Sequence, residues 1–502
     1  MRHGRYVAAA AGSALAALLL SACTTDAHVD NPPPTGGGIS STLPTGDTPT
    51  RPQVNQPPSR PSRTDLVAAV STPLEDPYYP ETSNPEVDAL HYDLDLTWDG
   101  TVLDGRATVI LRAATGASTL RLDLSAALRT SRVALDGAPI TFRQAGDGLL
   151  MDAGAIEKGS EHTLTIDYRG RPEAVPAPSQ RDDQAGGLGW TVDAAGAVST
   201  FQEPYGAFTW YPVNDHPSDK ALYDAHITVP QGNVAVFNGT LVTHRAAGPA
   251  ATEWTWHLDA PAASYLTTVA IGPYAAYHDT MPDGTPATYW VLPQDRARVT
   301  QLERESRVAF EWLTRHAGSY PFDTFGVVLV GGDGGMETQT MITLSPGSLD
   351  RPDAVLEHEI AHQWFGDAVT PTDWQGLWLS EGWAMYMQHW FEQDTGRYEY
   401  GGGMARWRPL DNASRGRSGP PGDFDPRSFG DVNVYLGPAL MLDAIRRQVG
   451  DAEFGSLVKA WVTDHADGNV DRAEFVSWLN KRTGQDLTTL VDTWLDSPST
   501  PR

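Results

Sequence analysis

The chain of 502 residues contains a single cysteine, Cys23. No intramolecular disulfide can form, so no covalent framework holds the fold in any compartment. Positive charge is also scarce. Lys and Arg number 36 against 63 Asp and Glu, a formal net charge of −27 at pH 7. Nucleic acid is therefore excluded as a partner, because its phosphates would be repelled. Long apolar runs are missing too. The Ala/Leu-rich run from Val7 to Leu20 is shorter than the ~20 residues a membrane-spanning helix needs. No internal repeat is evident. Hydrophobic residues make up 40% and charged residues 20%, an ordinary soluble composition. The length allows two or three domains.

What is present begins at the amino terminus. Met1-Arg2-His3-Gly4-Arg5 is basic, the apolar run follows, and Leu20-Ser21-Ala22-Cys23 closes it. This segment resembles the signal peptide and lipobox of bacterial lipoproteins. The resemblance implies a signal peptide over 1–22, cleavage before Cys23, and lipid on its sulfur and new amino group. Several acyl chains together anchor firmly. Residues 23–76 are rich in Pro, Gly, Ser and Thr. They read as a disordered tether that holds the folded part off the membrane.

Beyond the tether the period of the apolar residues changes twice. Tyr92, Leu94 and Leu96 alternate with polar residues, as do Leu120, Leu122 and Leu124, and Leu164, Ile166 and Tyr168. Period-two alternation predicts half-buried strands, hence an antiparallel β-domain over 77–283. From about Gln294, Val299, Leu302, Ala309 and Leu313 share one helical face. A strand-like Phe325–Val330 run follows, then helix to the end, so 284–502 is expected to be mainly helical. Asp464 to Glu474 has the wrong spacing for a calcium loop. Its Asp471-Arg472-Ala473-Glu474 predicts a helix capping box instead.

The chemistry lies in His358-Glu359-Ile360-Ala361-His362. Two imidazoles four apart on a helix point the same way and can hold one zinc ion. Glu359 between them can act as general base on a zinc-bound water. Glu381, in Leu379-Ser380-Glu381-Gly382-Trp383, is placed to be the third ligand. Two His and one Glu leave a position open for water, which is a catalytic arrangement. Leu356, Ile360, Trp364 and Phe365 make the helix half-buried, so its polar groups need partners.

With the flanking Gln363-Trp364-Phe365-Gly366-Asp367, Asp373-Trp374 and Leu377-Trp378-Leu379, and with Gly334-Gly335-Met336-Glu337-Thr338 upstream, the chain resembles the aminopeptidase N family of gluzincin zinc metallopeptidases. The likeness runs from about Ala89 to Leu495. It implies an α+β multidomain fold, an amino-terminal antiparallel β-domain followed by a thermolysin-like, mainly helical catalytic domain. The long carboxy-terminal helical domain of many relatives is not expected, which would leave the cleft more open. It implies one Zn2+ per chain and peptide substrates with a free amino terminus.

The resemblance also assigns residues. Tyr435, in Tyr435-Leu436-Gly437-Pro438-Ala439-Leu440, falls on the family tyrosine that stabilises the oxyanion. Gly437 stands where the family has Lys or Arg, and Pro438 where it has Gly; Pro at a first helical turn is acceptable. Glu203, in a stretch similar to the family's Gln-x-Glu with Phe201 in place of Gln, and Glu337 would hold the substrate ammonium. Gly335 and Met336 would line the substrate path on an edge strand. Phe201, Gln202 and Met336 would shape the pocket for the first side chain. Thr338 and Ser380 replace Asn, and Asp367 and Asp373 would support the histidines.

Three other readings stay open. One is a catalytically impaired peptide-binding surface lipoprotein, supported by Thr338, Gly437 and Pro438. The second is a thermolysin-like endopeptidase. The third is epoxide hydrolysis, which one branch of the family adds and which no residue here demands.

Overall fold

The computed structural model describes residues 63–502 apart from 180, 182, 183, 185, 351–354 and 397–401. The expected signal peptide, Cys23 and the tether up to residue 62 lie outside the described residues. The rest of the expected tether is folded, which corrects its boundary. Helix α1 (Arg63–Ala68) lies over the sheet. Leu66 and Ala69 bury against Leu90, Ile110 and Leu222. Two apolar residues three apart are enough to dock one turn on an apolar patch. Further on, Asp76 is fully enclosed.

The alternating segments form the strands they predict. An eight-stranded sheet has the spatial order Thr240–Ala246, Ala251–Ala263, Lys220–Pro230, Val87–Trp98, Leu103–Ala113, Glu161–Gly170, Leu128–Leu135 and Ala138–Pro139. All its pairs are antiparallel except Val87–Trp98 with Lys220–Pro230, which is parallel. Tyr92, Leu94, Leu96, Leu164, Ile166 and Tyr168 all point into one core, shared with Leu120, Leu122 and Leu149 of a three-stranded sheet. A four-stranded sheet adds the Gly189–Val192 and Val198–Phe201 hairpin.

A five-stranded sheet opens the second half, in the order Ala275–Thr280, Pro286–Val291, Phe325–Leu329, Ile342–Leu344 and Gly335–Met336. The expected division at 283/284 falls inside the hairpin of its first two strands. Gly335–Met336 is the terminal strand, so one of its edges is unpaired within the sheet.

Helices follow: α2 (Val299–Ala317), α3 (Val355–His362), α4 (Leu377–Asp394), α5 (Gly402–Ser418), α6 (Asn433–Val449), α7 (Asp451–His465), α8 (Arg472–Thr483) and α9 (Thr488–Asp496). Val299, Leu302, Ala309 and Leu313 of α2 are buried as the period requires. The Asp471 side chain caps α8 by accepting from Glu474 N. Asp464 pairs with Arg482 and Trp478, so that segment is structural. The fold is α+β: a β-domain followed by a mainly helical domain. Among the described residues no helix is long and apolar enough to cross a membrane.

Pro438 lies inside α6, beyond the first turn expected for it. The reason is on the facing helix. A Cβ at Gly382 of α4 would lie 2.4 Å from Pro438 Cβ. The glycine after Glu381 therefore makes room for the proline ring, and the two helices meet closely at this point.

Candidate active site

Helix α3 presents His358 and His362, and α4 presents Glu381. The helices are locked by Phe365 stacked on Trp383, with ring centroids 5.1 Å apart. His362 Nδ1 lies 2.9 Å from the Phe365 carbonyl and 3.1 Å from Ser380 Oγ. A carbonyl can only accept, so Nδ1 carries the proton and Nε2 offers its lone pair inward. That Nε2 is 3.0 Å from His358 Nε2 and 3.3 Å from Glu381 Oε2, while His358 Nε2 is 3.2 Å from Glu381 Oε2.

Three donors in a triangle of this size fit one tetrahedral ion. Ligand distances of about 2.0–2.2 Å place tetrahedral donors roughly 3.3–3.6 Å apart. Two imidazole nitrogens facing each other also need a cation between them. The electrostatics agree. Burial alone would lower the His362 pKa, yet the carboxylates of Glu337 and Glu381 push it well up. Burial instead lowers the His358 pKa, which leaves that imidazole neutral and fit to ligate a dication.

Glu359 is buried beside the triad, and Glu337, Glu359 and His362 offer atoms all within 4.8 Å of one another. Burial, then the charges of Glu337 and Glu381, hold the Glu359 carboxyl well above its usual range. Gly335 packs against it: a Cβ there would lie 2.5 Å from Glu359 Oε1. The edge strand thus runs directly over the carboxylate.

Glu203 enters from the β-domain, two residues after the Val198–Phe201 strand. It is buried, and the Gln184 side chain holds its carbonyl at 3.0 Å. Burial and the charges of Glu337 and then Glu381 raise its carboxyl strongly. Burial raises Glu337 likewise. Two carboxylates from separate domains therefore share one low-dielectric basin next to the metal triad.

Tyr435, on α6, has its ring 6.0 Å from that of His358. Arg181 Nη1 donates to its phenol oxygen at 3.2 Å. Gly437 is explained by its surroundings. A Cβ there would lie 2.6 Å from Arg415 Nη2 and 2.7 Å from Asp411 Oδ1. The buried Asp411–Arg415 pair of α5 fills the space a basic side chain would take.

Some expectations are corrected. Asp367 meets Gln363 rather than a histidine, and Asp373 accepts from Gly376 N. The groups beside His362 are the Phe365 carbonyl and Ser380. Gln202 does not shape the cleft. Its amide is used inside the β-domain by Ser264 O, Thr267 and Trp210 Nε1. Phe201 and Thr200 instead help line a cavity of about 300 Å³ beside Gly334. Met336 is buried against Tyr265 and Trp374.

Other residues were missed. Gln363 ties α3 to the Glu337 carbonyl at 3.0 Å and to Thr340 N at 2.8 Å. Its place directly after His362 was the available signal. Thr338, noted above as replacing Asn, joins a hydroxyl chain through Thr343 and Thr268 to Thr200, linking the segment of Glu337 to the strand that precedes Glu203. Buried Lys220 of the β-domain donates to the Asp367 carbonyl at 2.8 Å, and burial pulls its amine down to about 8.

Two imidazoles and a glutamate around one point, with a second glutamate beside them, define a gluzincin zinc metallopeptidase site. The chain belongs to the M1 peptidase family, in its aminopeptidase N-like group. Its residues 88–266 match the Peptidase M1 N-terminal domain and 308–494 the Peptidase family M1 domain. Its cofactor is accordingly zinc. A crystal structure of the M1 zinc metallopeptidase of Deinococcus radiodurans, a variant bound to a Tyr-Ser-Ala substrate, is similar at 25% identity. It covers 86% of this chain and 99% of that one, with a TM-score of 0.74. Human glutamyl aminopeptidase is 27% identical over 38% of this chain and 22% of its own length. Aminopeptidase N of Streptomyces lividans is 25% identical over 56% and 36%. The chain thus spans about a fifth to a third of these curated relatives.

Proposed function

We propose that the protein is a zinc-dependent aminopeptidase that removes amino-terminal residues from peptides. We further propose that lipid on Cys23 anchors it outside the cytoplasmic membrane. The observation that carries the activity is the pairing of Glu203 and Glu337 beside the metal triad. Burial raises both carboxyls, and the charge of Glu337 raises Glu203 further; a peptide's free ammonium placed between them would offset that cost. That would fix where the substrate begins and leave its first peptide bond over Glu359.

His358, His362 and Glu381 would hold the zinc, which when bound would supply Lewis acidity toward the scissile carbonyl and the attacking water. Glu359 takes the proton of the attacking water and delivers it to the leaving amine. Tyr435 donates to the carbonyl oxygen as charge develops there. The Gly335–Met336 edge strand aligns the peptide by backbone pairing.

The test compares an aminoacyl anilide with its N-acetylated form. Cleavage of the free amine alone is expected, and Glu359→Gln should lower kcat by at least about 100-fold with zinc retained. Equal cleavage of both reporters would favour an endopeptidase. Zinc-dependent peptide binding without hydrolysis would favour a binding lipoprotein.

A further inference from the structure

We propose that Arg181 is a positioning residue for Tyr435: a guanidinium from the β-domain fixes the phenol of the helical domain so that its proton is aimed at the substrate's carbonyl oxygen. This rests on the aminopeptidase reading above. Arg181 Nη1 lies 3.2 Å from Tyr435 Oη. Arginine can only donate, so the phenol oxygen accepts, and the phenol's hydrogen must point away from the guanidinium.

The place of Arg181 is built. Gly430, at φ 69°, lies against it, and a Cβ there would come within 1.9 Å of Nη1 and 3.0 Å of Cζ. A side chain there would push the guanidinium aside. The charge also faces the reaction basin, since it bears on Glu203, Glu337 and Glu359. Two residues beyond Tyr435 stands Gly437, and the nearest cation there, Arg415, is locked to Asp411 with both side chains fully buried. The positive charge at the phenol thus comes across the domain boundary rather than from α6 itself. The oxyanion donor is fully set only when β-domain and helical domain are docked.

The same guanidinium could instead receive the carboxylate of a short peptide, and the experiment separates the two roles. Arg181→Ala should lower kcat by about tenfold or more, with KM within about twofold, equally on an aminoacyl anilide and a dipeptide. Arg181→Lys should recover part of the loss, because it restores a donor without the planar fork. Tyr435→Phe should cost more, about 100-fold, and the double variant should be no worse than Tyr435→Phe within about twofold.

A binding measurement reads the same geometry without turnover. The zinc-loaded full chain should bind an aminophosphinic dipeptide, a tetrahedral mimic, about tenfold more weakly as Arg181→Ala. Its affinity for free L-leucine should be unchanged. Gly430→Ala, which displaces the guanidinium, should shift both readouts in the same direction. A KM rise confined to the dipeptide, additive losses in the double variant, or unchanged phosphinic affinity would overturn the proposal. Failure of the aminopeptidase reading looks different. The wild type would then cleave neither reporter, or both equally, while the phosphinic affinities still judge Arg181. A wild type that binds no phosphinic mimic sinks both.

Discussion

Gly335 shows how little room the site leaves at a single position. Its missing side chain is what allows the edge strand to lie on the Glu359 carboxylate, 2.5 Å from where a Cβ would stand. Gly335→Ala must therefore move either the strand or the Glu359 carboxylate. Displacements near 1 Å at a reacting group cost about 10–100-fold in rate. We expect kcat to fall by that amount with zinc content and melting temperature nearly unchanged; a wild-type kcat would show that Glu359 tolerates the shift. Neighbouring residues make the same point about what sequence reveals. His358, Glu359 and His362 were legible because helix geometry fixes their relations locally, and Glu381, on the separate helix α4, through the motif around it. Gln202 was misread because motif position says nothing of which way an amide turns. Arg181 was invisible, since 254 residues separate it from Tyr435.

At the scale of elements, strands and helices followed the apolar period closely, and their lateral fastening did not. The eight-stranded sheet carries one such fastening. Asp224 accepts from His257 Nδ1 at 2.7 Å and lies 2.9 Å from His91 Nε2. Burial would raise its carboxyl, but the hydrogen bonds of His257 and His91 outweigh it and hold it down at about 2. Its hydrogen bond to Asp224 in turn raises the His257 pKa. The sign follows for each group. The depressed carboxylate stabilises fully above its unfolded value near 3.9 and loses that contribution as pH falls through about 2. The raised imidazole stabilises fully below about 6.5 and loses it as pH rises through its folded value. Asp224→Asn should therefore cost most near pH 5.5, roughly 2 kcal/mol, and less at pH 9. Urea melts of both proteins at the two pH values measure this. A gap that stays constant or widens at pH 9 would mean the histidine charge plays no part.

Across the whole molecule, the two domains are joined by groups far apart in sequence. Asp76 accepts from Tyr78 N, Tyr79 N and Trp374 N, and its Oδ2 lies 3.3 Å from His216 Nε2, with neither side chain exposed. Tyr79 reaches on to the Pro426 carbonyl at 2.7 Å. Lys220 makes a second tie to the end of the α3 segment. Asp76→Ala strips several buried donors at once and should cost about 3–5 kcal/mol. Calorimetry should show a lower Tm with the domains beginning to melt separately. A loss below about 1 kcal/mol would place the domain coupling elsewhere.

The sequence by itself determined that His358, Glu359 and His362 share one helical stretch, and that a β-domain comes before a helical one. These depend on spacing along the chain, where 3.6 and 2 residues per repeat translate directly into faces. Only the tertiary structure decided that Glu203 and Glu337 share one basin, that Gly382 makes room for Pro438, that Asp411 and Arg415 occupy the space beside Gly437, and that Arg181 holds Tyr435. Those relations depend on which surfaces pack together, and packing is set by the shape of the whole core rather than by any local pattern.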